Sequence, residues 1–279
     1  MSKINEHNIS RAAILSNVIY RAKETEQWSN ENQWHNNAFW AKGISLKRNL
    51  IGDDGTIKVG YTVEDQTLYL TYSGTQDIEF WLYNADTDVR HLHGIGLHEG
   101  FLRLAEEVET VLVKDSYIFD IINNNNITKV VHCGHSAGGA VAGIMALKFF
   151  EADAYYGPGL ACDHVIIDFG SPRYLKDDQP IDIFPCERLR FQEIYDIVPC
   201  TPLTWRGPLP GFEHFGSVRY TAPDFKLLTK LPWYRPLMFI KKYFGSLWLG
   251  KSVSEATSHH SIDGYASTVV VNHSLKDIL

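Results

Sequence analysis

The sequence predicts an α/β fold: a mostly parallel central sheet with helices on both faces and an antiparallel hairpin at one edge. Three observations carry this. Apolar strand-like runs occur at 57–63, 67–73, 127–133 and 164–170. Between the later runs lie segments of helical period, so those strands are joined by crossovers and lie parallel under helices on both sides. The first two runs are separated only by a short polar link, which reads as a hairpin added to the sheet's edge.

Each element has its own pattern. In 9–22, Ile9, Ala13, Ile14, Val18 and Ile19 fall near helical spacing, which predicts a first helix. Residues 27–42 carry Trp28, Trp34 and Trp40 among Asn and Gln and show no clear period. Leu102, Ala105, Val108, Val111 and Leu112 predict one helix over 101–122, followed by a turn at Asn123–Asn126. A strand at 127–133, a small-residue helix at 137–150 and a strand at 164–170 come next. Further strands are expected at 189–195 and 217–221, and a last helix at 260–272. No repeat and no linker stands out, so the 279 residues are expected to form one domain, 1–279.

Composition narrows the function classes. The apolar runs fall far short of the ~20 residues that span a bilayer. The N-terminus lacks an apolar stretch followed by a small-residue cleavage site, so no secretory signal is expected. A formal charge of −7 argues against nonspecific nucleic-acid binding. Cys133, Cys162, Cys186 and Cys200 form no C-x-x-C pair and no zinc-type spacing. They are read as reduced thiols, which fits a cytoplasmic protein. No motif calls for a cofactor or a metal.

The central signal is Gly134-His135-Ser136-Ala137-Gly138, a G-x-S-x-G turn between an apolar strand and a small-residue helix. A serine hydroxyl is a poor nucleophile unless a sharp turn presents it to a base. The following helix aims its first N–H groups at a developing oxyanion. The competing reading, a nucleotide-binding turn, requires G-x-G-x-x-G or G-x-x-x-x-G-K-[ST], and neither is present. Ser136 is therefore the candidate nucleophile of an α/β-hydrolase-like fold.

GHSAGGA (134–140) resembles the GHSLGGA elbow of the class 3, fungal-type lipases, and other matches follow in that family's order. YSGTQDIEFWLYNAD (72–86) is similar to the family's oxyanion-and-lid segment, and LHEGF (97–101) to its H-x-G-F element. FGSPR (169–173), YDIVPCTP (195–202) and HHSIDGY (259–265) resemble its remaining motifs. The resemblance implies a cofactor-free serine carboxylic-ester hydrolase acting on acyl-lipid esters. It assigns Asp196 as the acid that orients the base, and a histidine near the C-terminus as that base. The spacing to Tyr265 and Ile262 favours His260 over its neighbour His259. Thr75 matches the oxyanion residue, and its N–H is paired with that of Ala137. Two departures bear on substrate preference: Ser73 stands where the family has Arg, and Ala137 where it has Leu. His98, His132 and His135 are expected to pack the site. An esterase or phospholipase on the same scaffold, and a non-catalytic lipase-like module, are the alternatives.

Two segments suggest contact with lipid. Residues 78–97 match the lid by position, with Trp81, Leu82 and Tyr83 as its apolar face; a fixed surface helix is the competing reading. Residues 225–251 contain six basic residues and no Asp or Glu, so they carry +6 and the rest of the chain −13. Within them Ile240, Tyr243, Phe244, Leu247 and Trp248 share one helical stripe that Lys241 and Lys242 leave free. That pattern fits peripheral docking on anionic lipid, and equally an amphipathic helix packed on the core.

Overall fold

The computed structural model describes residues 2–22, 40–46, 55–75, 88–114, 118–156, 162–177, 179, 186–202, 211–222, 224, 226–230 and 260–274. Helix α1 (Glu6–Arg21) opens with a reciprocal cap. The Asn5 side chain accepts the Asn8 N–H at 2.8 Å and the Asn8 side chain accepts the Asn5 N–H at 3.4 Å, so two of the donors a helix start leaves unpaired are satisfied.

Among the described residues eight strands form the main sheet, in the order β1-β2-β3-β6-β7-β9-β11-β12. Strands β1 (Trp40–Leu46), β2 (Gly55–Glu64) and β3 (Thr67–Tyr72) pair antiparallel. The β2–β3 turn places Asp65 and Gln66 both at positive φ, 46° and 59°, the backbone of a two-residue hairpin that follows the sheet's twist. From β3 onward the pairing is parallel through β6 (Lys129–His135), β7 (Asp163–Phe169), β9 (Glu187–Glu193) and β11 (Ser217–Thr221). The short β12 (Leu227–Leu228) closes the far edge antiparallel. The chain therefore has the mostly parallel sheet expected of it, with antiparallel strands at both edges.

Period-2 alternation divides the strands between two cores. Leu68, Leu70, Val130 and Ile166 pack toward helices α2 (Glu99–Lys114) and α4 (Ala137–Tyr156). Tyr69, Val131, Cys133, Val165 and Ile167 pack toward α1 and α5 (Ile262–Ser274) on the other face. Burying each such side chain contributes about 1.5–3 kcal/mol. Residues 137–147 of α4 are buried without exception, because this helix lies between the sheet and α2.

Two elements differ from expectation. The helix expected over 101–122 is two, α2 ending at Lys114 and α3 at Ile118–Asn124. The distal part of the expected lid segment, 78–97, is a hairpin of β4 (Val89–Leu92) and β5 (Ile95–His98) turning at His93-Gly94, where φ is 49° and 84°. It belongs to a second sheet, ordered β10-β8-β5-β4, with β8 (Leu175–Lys176) and β10 (Phe212–Glu213). Trp81, Leu82, Tyr83 and His259 lie outside the described residues, as does most of 225–251. All four cysteines are free thiols. Among the described residues no helix is long and apolar enough to cross a membrane.

Candidate active site

Strand β6 ends at His135 and α4 starts at Ala137, so Ser136 alone makes the turn, at φ +59°. That backbone is strained for a residue with a Cβ. It is held by hydrogen bonds from the Ser136 N–H to the Phe169 carbonyl and from the Gly139 N–H to the Ser136 carbonyl, both 2.9 Å. The two flanking glycines are required by close approach: a Cβ on Gly138 would run into the carbonyl oxygens of Tyr72 and Ser73, and one on Gly134 into the Gly138 backbone. Ala137, the first residue of α4, brings an N–H that the helix itself leaves without a partner.

Asp196 follows β9 and is fully buried. Its Oδ1 accepts the Val198 N–H at 2.9 Å. Its Oδ2 lies 2.6 Å from His260 Nδ1 and accepts the Tyr265 hydroxyl at 2.7 Å. The Tyr265 oxygen in turn accepts the Glu193 N–H at 2.8 Å. Burial, and next the Asp196 charge, push the Tyr265 phenol well above its usual value, so it stays a donor. Gly170, at φ +60°, lets the chain pass beneath this pair, since a Cβ there would lie 2.9 Å from His260 Cε1 and 3.0 Å from Asp196 Oδ2. The far nitrogen of His260, Nε2, is buried and has no hydrogen-bond partner among the described residues. The His135 ring stacks on that of His260, with centroids 4.5 Å apart, so His260 packs against the residue that precedes Ser136.

The loop after β3 forms the opposite wall. A Cβ built on Gly74 would lie 2.7 Å from the Ser136 Cβ, so residues 73–75 run against the serine. Thr75 is buried, and its hydroxyl has no hydrogen-bond partner among the described residues. Ser73, the departure from the family's Arg noted in the sequence, pairs with β2: its N–H donates to the Lys58 carbonyl at 2.9 Å and its hydroxyl accepts the Lys58 N–H at 2.7 Å. The Lys58 ammonium donates to the carbonyls of Tyr20 and Ala22 at 3.1 and 2.6 Å. The charge missing at position 73 thus has a counterpart one strand away, bonded to the end of α1.

The structure gathers Ser136, Asp196, His260, Thr75 and Ala137 at the ends of parallel strands, where loops carry function. Tyr265, Lys58 and Tyr20 were not singled out as site residues. Tyr265 had served only as a spacing mark, and the other two have no local signal. His98 lies between the rings of Phe101 and Phe212, and its Nδ1 accepts the Gly100 N–H. His132 contacts Tyr72 and His164 inside the core. Burial, and then the neighbouring His260, hold His135 well below the usual imidazole range.

The family model described as lipase (class 3) matches residues 69–205. The fold resembles the Rhizomucor miehei lipase in its propeptide complex, at 19% identity, TM-score 0.59, covering 81% of this chain and 72% of that one. Lipase II from Rhizopus niveus matches at 20% identity and TM-score 0.55, covering 77% and 79%. A lipase from Rhizopus microsporus var. chinensis matches at 22% identity and TM-score 0.50, covering 64% of this chain; the match spans 61% of that lipase's length. No curated protein matches the sequence. The structural likenesses show the fold alone, of the α/β-hydrolase type; the family match covers 69–205, and it is these residues that belong to the class 3 lipase family.

Proposed function

We propose that the protein is a serine carboxylic-ester hydrolase that cleaves acyl-lipid esters, with Ser136 as nucleophile, His260 as base and Asp196 as the acid that orients it. One observation carries the reading. His260 is tied at Nδ1 to a buried carboxylate and keeps Nε2 unpartnered, beside a serine held at positive φ on a strand-to-helix turn.

The chemistry follows from that arrangement. The Nδ1–H bond to Asp196 fixes the tautomer that leaves the Nε2 lone pair available. Nε2 takes the Ser136 proton as Oγ attacks the ester carbonyl carbon, and the carbonyl electrons move onto oxygen. The N–H groups of Thr75 and Ala137, with the Thr75 hydroxyl, receive that oxyanion; each such donor is worth about 3 kcal/mol. His260 then protonates the departing alcohol, leaving an acyl-serine, and water activated by the same Nε2 releases the acid. The unpartnered Thr75 hydroxyl supports this role, because a buried hydroxyl without a partner is costly unless a ligand supplies one.

A p-nitrophenyl ester series from short to long acyl chains, with and without detergent, tests the proposal. Ser136-dependent hydrolysis that extends to long chains is the expected result. Turnover of equal size in the Ser136→Ala variant contradicts it. Docking on anionic lipid through 225–251 is a separate part of the proposal and rests on the sequence charge asymmetry alone.

A further inference from the structure

Helix α1 is remote in sequence from every catalytic motif, yet its penultimate residue reaches the candidate site. The Tyr20 hydroxyl accepts the Gly74 N–H at 2.8 Å across 54 residues, and lies 2.8 Å from His135 Nδ1 across 115. A Cβ on Gly74 would lie 2.5 Å from that hydroxyl and 2.7 Å from the Ser136 Cβ. The phenol is therefore wedged against the residue that precedes Thr75.

A phenol has one proton to donate and lone pairs that accept. Gly74 donates into the Tyr20 oxygen, and satisfying the buried phenol proton as well sends it to the other partner, His135 Nδ1. In that arrangement His135 accepts at Nδ1 and is neutral, with its own proton on Nε2. That nitrogen is buried with no hydrogen-bond partner among the described residues. The His135 ring lies face to face with His260, centroids 4.5 Å apart and planes at 29°. During turnover His260 becomes an imidazolium, and a second cation at that distance would oppose it.

We propose that Tyr20 is a positioning residue for the hydrolysis: it fixes the oxyanion loop at Gly74 and locks His135 as the neutral Nε2–H tautomer, leaving His260 as the one imidazole that takes a proton. The proposal rests on the roles given above to Ser136, His260 and Thr75. Without the phenol oxygen, the Gly74 N–H loses its acceptor next to Ser136, and the Thr75 amide that follows is no longer held. A shift of the order of 1 Å in such a group lowers turnover about 100-fold.

Tyr20→Phe keeps the ring and removes the oxygen. On a short soluble ester, kcat should fall about 10- to 100-fold with KM within about twofold, because the loop contacts the oxyanion rather than the ground-state acyl chain. In the wild type, ¹⁵N histidine spectra assigned by a His135→Gln difference should show His135 protonated at Nε2; Tyr20→Phe should release it to a mixture of tautomers. An unchanged kcat, or a loss carried by KM alone, overturns the loop-fixing role. A His135 proton on Nδ1 in the wild type overturns the lock, and that measurement needs no variant to fold. If the wild type shows no Ser136-dependent hydrolysis, the functional reading fails, and the tautomer still decides whether Tyr20 holds His135.

Discussion

Asp196→Asn is the substitution whose outcome the geometry constrains most tightly. The carboxylate takes three donors: Val198 N–H on Oδ1, and His260 Nδ1–H and the Tyr265 hydroxyl on Oδ2. An amide has only one acceptor atom. If its oxygen faces Val198, its NH₂ faces His260 and Tyr265; His260 must then accept at Nδ1, carry its proton on Nε2, and lose the lone pair it needs as a base. If its oxygen instead faces His260 and Tyr265, the NH₂ opposes the buried Val198 N–H, at about 1–3 kcal/mol for an unsatisfied donor. The first orientation disables the base and leaves the Tyr265 proton without its acceptor; the second keeps the base and buries an unsatisfied Val198 N–H, so each orientation gives up one bond of the native set. The same exchange in the serine protease triad lowers kcat by about 10⁴, so a loss of about 10³- to 10⁴-fold is expected here, about 4–5.5 kcal/mol. The assay is kcat on a short soluble ester, with the melting temperature as a control on folding. A folded variant within tenfold of wild type would refute the orienting role of Asp196.

Two further predictions concern stability. Arg188 lies wholly buried between the rings of Tyr174 and Phe215, paired to Asp168 at 2.7 Å; Arg188→Met should destabilise by about 3–5 kcal/mol in urea unfolding, and Arg188→Met with Asp168→Leu should recover most of it. A double variant as unstable as the single would show that the loss is one of packing, not of an unpaired carboxylate. Burial holds His132, His135 and His214 well below the usual imidazole range, so they stay neutral when folded, while the unfolded chain takes up protons below about pH 6.5. Stability present above that pH is then lost as pH falls, by up to about 1.4 kcal/mol per pH unit for each histidine; equal urea midpoints at pH 7.5 and 5.5 would contradict this.

What the sequence disclosed follows the range of the interactions involved. The strand-turn-helix around Ser136 was readable because an apolar run, two glycines and a small-residue helix are local facts. Asp196 was not readable from residues alone; the family resemblance singled it out. The second sheet escaped notice because β8 and β10 are two residues long and the β4 side chains are partly or fully exposed, so no alternation marks them. Strand β1 lay at the end of a Trp- and Asn-rich stretch without period. Tyr20 and Lys58 carried no signal at all. Tyr20 occupies an ordinary helix position and Lys58 an ordinary strand position, and their role arises only when the sheet and α1 pack together. Tyr265 reads locally as a core aromatic of α5, and only the buried carboxylate at 2.7 Å gives its hydroxyl a task.

If Ser136 is the nucleophile, the fold itself activates it in place. The most direct measurement of that activation is labelling of the native protein with a fluorophosphonate probe, read by intact mass and peptide mapping. A single adduct on Ser136 is expected, absent from Ser136→Ala and from heat-denatured protein. An adduct that persists in Ser136→Ala, or a native protein that takes up no label, would contradict it.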